Sequence, residues 1–150
     1  MMRTKLGKTV VCLFIGMMLG SVSAMAGRFA DNGDDTVTDS ATGLVWQQRD
    51  DDKTRNWTGA LAYCEGLGLA GHTDWRLPNI RELRSIVDHE KYNPAIDSTL
   101  FPGTNSSYYW SSTSFASDAD DAWYVDFHDG LASSYYGSYG HYVRCVRGGE

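Results

Sequence analysis

The sequence predicts one α+β domain, and three observations carry that expectation. In residues 71–83, GHTDWRLPNIREL, a Leu77-Pro78 corner leads into Asn79, with Glu82 three positions on, ahead of Leu83, Ile86 and Val87. The residue before proline is pushed out of the helical region, and Asn followed by Glu at this spacing is a reciprocal helix cap. Residues 122–128 alternate instead: Trp123, Val125 and Phe127 against Tyr124, Asp126 and His128, with a tight turn at Asp129-Gly130. That is the period of a strand. Finally, Cys64 falls on a helical stripe and Cys145 on a terminal segment of strand character.

The first 26 residues read as a secretory signal peptide: Arg3, Lys5 and Lys8, an apolar run over 10–19, then small residues with cleavage expected after Ala24 or Ala26. The run is about half the ~20 residues of a membrane helix, so no span is expected in the mature chain. Cys12 leaves with the leader. Of 13 basic residues, three lie in the leader; the remaining 10 face 19 acidic ones, a mature net charge of −9. A surface of this sign repels nucleic acid and anionic lipid. Only the Arg81/Arg84 helix face and the Arg144/Arg147 strand offer a basic patch.

Residues 27–35 are polar and acidic and read as a flexible lead, with the domain over 36–150. Val37 to Asp39, a turn at Gly43 and Leu44 to Gln48 read as strand, turn, strand. A charged loop with Asp50, Asp51 and Asp52 follows. Asn56 or Thr58 caps a first helix running to about Gly66, with Trp57, Leu61 and Cys64 on its inner stripe. The second helix runs from Ile80 to Val87. Residues 88–107 lack periodicity and read as a long loop that is functional or packed by its own side chains, pinned by Ile96, Leu100 and Phe101. Strands are then expected over 108–113, 122–128, 131–136 and 142–147. Trp46, Trp75, Trp110 and Trp123 read as core. In an exported chain the pair Cys64 and Cys145 is expected to be bridged, with two buried thiols as the alternative.

In this order T-G-L-V-W, A-x-x-Y-C, D-W-R-L-P-N-x-x-E-L, Y-W-S-S-T, W-Y-V-D-F-x-x-G and V-R-C-V-R resemble the Lcl C-terminal domain family, named for the end of a bacterial collagen-like adhesin. The resemblance covers residues 36–147. It implies an exported bacterial protein of C-type-lectin-like fold. Such a fold has two helices flanking a twisted antiparallel sheet whose first and last strands meet, and a disulfide from helix to last strand. The adhesin that names the family binds sulfated polysaccharide. This chain departs from it in lacking a collagen repeat and in being strongly acidic.

Three constellations carry the functional expectations. Asp118, Asp120 and Asp121, with Asp126 nearby, offer hard oxygens for calcium, the one cofactor the sequence suggests, although no EF-hand loop is present. Tyr124, Tyr135, Tyr136 and Tyr139, with His128, crowd a Tyr/Ser/Gly-rich last third. That composition suits an adaptable recognition surface, and sugar rings stack on exposed aromatics. Catalysis has no support: the histidines are scattered and no nucleophile elbow or H-E-x-x-H occurs. The expectation is a non-enzymatic adhesion module at the cell surface, in the periplasm or secreted, binding a glycan or protein. The rival is an assembly domain in which the tyrosines form a homo-oligomer or envelope-complex contact.

Overall fold

The computed structural model describes residues 27–149. The signal-peptide reading and Cys12 lie outside them. The described residues form a small α+β domain with two antiparallel sheets, two short helices and one disulfide. The first sheet holds β1 (Phe29–Asp31), β2 (Thr36–Asp39), β3 (Val45–Gln47) and β7 (Val146–Arg147), in the order β1-β2-β3-β7. The second is a meander of β4 (Tyr108–Phe115), β5 (Asp118–Asp126) and β6 (Leu131–Tyr136).

Both helices begin where side-chain caps satisfy their orphan N–H groups. Asn56 accepts from the Gly59 N–H at 2.9 Å to open α1 (Trp57–Glu65). Asn79 and Glu82 form the reciprocal box that opens α2 (Ile80–Ser85). Glu82 also receives two hydrogen bonds of 2.8 Å from the Arg76 guanidinium, so the cap is tied to the segment before it. The second helix ends at Ser85 rather than Val87, because the chain turns away and the Asp88 N–H donates to the Ala95 carbonyl.

Several expectations are corrected. The sheet is two sheets, and β7 pairs with β3 rather than with the first strand. The final strand is Val146–Arg147, not 142–147. Its lost portion carries Arg144, which turns inward and is fully buried, giving its N–H groups to the Gln47 and Gln48 carbonyls and to Thr104. Arg147 pairs with Asp74, so the supposed basic strand presents no free patch. Residues read as a flexible lead contain β1, registered against β2 and anchored by an Arg28–Asp39 ion pair. β5 runs from Asp118 to Asp126 rather than 122–128: Asp118 already pairs with Phe115, and Asp126 begins the turn, its carbonyl accepting from Gly130.

Two apolar clusters fill the interior. One joins Val37, Trp46 and Val146 to Leu83, Ile96, Phe101, Val125 and Phe127. The long loop 88–107 supplies Ile96 and Phe101 to it, with Leu100 half-buried against its edge. The other surrounds Cys64 and Cys145 with Ala60, Trp75, Leu77 and Trp110. The disulfide is formed and closes a loop of 81 positions, clamping α1 to the segment that leads into β7. Trp46, Trp75 and Trp110 are core, whereas Trp123 is half-buried against Phe115.

Candidate functional site

The register of the second sheet gathers the aromatic residues. Tyr124 stands opposite Trp110, and Tyr108 lies two residues before Trp110, hence on the same face. Across the other edge Ala122 is paired with Tyr135, which puts Tyr135 on that face as well. The turn after β6 brings back Tyr139, Gly140 and His141. Together Tyr108, Tyr124, Tyr135, Tyr139, Gly140 and His141 line a cavity of about 340 Å³. The Tyr108 and Tyr124 rings are 4.9 Å apart, those of Tyr135 and Tyr139 4.7 Å, each pair edge to face. The Tyr139 phenol, and then burial, pushes the Tyr135 hydroxyl up.

His141 lies within this aromatic group. Its ring centroid is 4.0 Å from that of Trp110 and 5.2 Å from those of Tyr108 and Tyr124. The side chain is buried, its Nδ1 donates to the Gly140 carbonyl at 2.8 Å, and Nε2 has no partner. Burial pushes the imidazole down despite the Gly140 bond, which keeps it neutral. Backbone bonds in both directions link His141 to Arg55, and the Trp57 N–H donates to the Gly137 carbonyl. The start of α1 therefore fixes the turn that completes the cavity.

Two further hollows lie against the second sheet. One of about 460 Å³ is lined by Asn56, Trp57, Thr58, Asp120, Tyr136 and Ser138, among others. The other, about 230 Å³, shares Tyr108 and Tyr124 with the central cavity and adds Asp126, Asp129 and Ser133. Among the described residues, none of the three is lined by a Lys or Arg.

The site residues expected from sequence are thus divided. Tyr124, Tyr135 and Tyr139 share one cavity, and Tyr136 lines the neighbouring one, because successive strand residues face opposite ways. His128 is elsewhere: its backbone N–H donates to Asp126, and its ring meets Tyr92 and Ser106. Tyr108, another tyrosine of that last third, and His141, which the tyrosine-rich composition does not mark, complete the cavity.

The three aspartates lie at the start of β5. Asp118 pairs with Phe115 on β4 and Asp121 with Tyr136 on β6, while Asp120 is exposed. Among the described residues no group of three His, Cys, Asp or Glu side chains could hold a metal ion. Asp121 is pushed up by burial and by Asp118 and Asp120, which nothing cationic offsets. The second acidic run is structural: Asp50 meets Tyr109 and Arg144, Asp51 pairs with Arg55, and Asp52 accepts from Asn105.

Among the described residues no helix is long and apolar enough to cross a membrane. A comparison with curated proteins returned no match. The match that exists is to a family: residues 35–147, spanning both sheets from β2 onward, both helices and the disulfide, fit the Lcl C-terminal domain, and the chain belongs to that family.

Proposed function

We propose that this domain is the recognition module of an exported bacterial protein, C-type-lectin-like in ancestry, which holds a glycan or protein ligand without performing chemistry on it. The observation that carries the proposal is the cavity walled by Tyr108, Tyr124, Tyr135 and Tyr139 over His141. Half-exposed tyrosines give large contact area at small entropic cost, and a concave aromatic site with few polar groups is the usual form of a binding pocket. Family membership supports an adhesin-related role, and the disulfide is compatible with export.

The test is a glycan array probed with the oxidised protein, with calcium and again with chelator, printed with neutral, amino and sulfated polysaccharides. The expected result is signal that survives chelator and falls on Tyr135→Ala. Signal abolished by chelator and by Asp120→Asn would restore a calcium site instead. The exposure of Leu131 and Tyr136 on β6 and of Tyr139 in the turn after it favours one rival, an assembly contact. A blank array together with a defined oligomer in size-exclusion chromatography would select it.

A further inference from the structure

The three hollows on the second sheet share one electrostatic character. The central one has four phenol rings and a neutral imidazole. The hollow that shares Tyr108 and Tyr124 with it carries Asp126 and Asp129, and the separate hollow at the end of β6 carries Asp120. The nearest cation in sequence, Arg55, is engaged by Asp51. Aromatic faces attract cations through the ring quadrupole, and the flanking carboxylates add attraction of the same sign. The His141 ring, which burial holds neutral, brings no competing charge to the cavity.

Resting on the glycan reading above, we propose that the central cavity takes an amino sugar, a hexosamine whose nitrogen is a free ammonium rather than an amide. The ammonium sits among the tyrosine rings on the side of Asp126 and Asp129, and the sugar's C–H face lies against a phenol. A polysaccharide is favoured over a lysine side chain by the shape of the strip. The hollow that shares Tyr108 and Tyr124 extends the central cavity and carries the neutral hydrogen-bonding Ser133, suited to a hydroxyl of an adjoining residue. A sulfated chain would meet carboxylates with no cation lining the strip.

The experiment compares binding of the oxidised protein to a glucosamine hexamer and to its fully N-acetylated twin, with hexalysine and a sulfated hexasaccharide as further arms. The free-amine hexamer should bind at least about tenfold tighter than the acetylated one, and more weakly as salt rises. Tyr139→Ala should weaken it about tenfold with no shift in thermal midpoint, since Tyr139 is exposed at 53 %. Equal or tighter binding of the acetylated hexamer overturns the inference and leaves the glycan reading standing. Tighter binding of hexalysine assigns the surface to a protein ligand and overturns it too. Preference for the sulfated arm reverses the charge argument. Failure of every sugar, here and on the array, removes both readings together.

Discussion

Arg144 Nη2 lies 3.4 Å from Asp50 Oδ2, and both side chains are closed to solvent. The same carboxylate oxygen accepts from the Tyr109 hydroxyl at 2.5 Å, and Arg144 also serves the Gln47 and Gln48 carbonyls. Burial pushes the Tyr109 hydroxyl up, so it remains a donor. Removing one partner of a buried ion pair leaves the other charge stranded. Arg144→Ala should therefore cost about 3–5 kcal/mol in urea unfolding. Adding Asp50→Asn to it should cost less than the two single changes summed, the mark of a shared network.

Reduction should be nearly as damaging. The Cys64–Cys145 bridge closes a loop of 81 positions, which on the chain-entropy account contributes about 4–5 kcal/mol by constraining the unfolded state. Cys145→Ser, or the wild type in excess thiol, should show a lower urea midpoint by a corresponding amount. Trp110, which packs against the His141 ring of the cavity, belongs to the cluster around the bridge, so ligand binding should weaken in parallel.

His141 gives the fold a dependence on pH with a definite sign. Its ring is held neutral by burial, below the ordinary value of 6.5. Above that value neither folded nor unfolded chain is charged there, and the residue adds no pH dependence. As pH falls below 6.5 the unfolded chain takes up a proton that the folded one resists, so stability declines until the folded value is passed. His141→Phe should flatten that part of the stability profile. An NMR titration should find the imidazole neutral where a free histidine is half-charged.

Gly137 tests the turn. A Cβ there would stand 3.1 Å from the Asp120 carbonyl and 3.2 Å from Trp57 Cβ, with backbone on one side and a packed ring's root on the other. Gly137→Ala should cost about 1–3 kcal/mol, in the range of other overpacked sites. It should also displace Tyr136 and Tyr139, lowering affinity more than Ser138→Ala does.

What the sequence disclosed follows the range of the forces involved. The Asn79/Glu82 box, the Asn56 cap and the Asp129-Gly130 turn depend on residues a few positions apart, and each is legible. The truncation of β7 is not, because it depends on Arg144 reaching carbonyls 96 and 97 positions away. The cavity divides in the same manner. Tyr124, Tyr135 and Tyr139 stand in one tyrosine-rich stretch, but Tyr108 joins them only through strand pairing. His141 joins through a bridge to Arg55. One signal was available and unused: strand alternation alone separates Tyr135 from Tyr136.

The position of Cys145 has a consequence for the order of events during biogenesis. It follows every helix and every strand but β7. In a chain delivered N-terminus first, Cys64 waits as a thiol while both helices and the whole β4–β6 meander arrive, and the covalent lock engages only at the last step. Until then the aromatic sheet relies on packing alone. An oxidase acting on nascent chains would therefore find a half-made domain still able to rearrange, and a finished one already sealed.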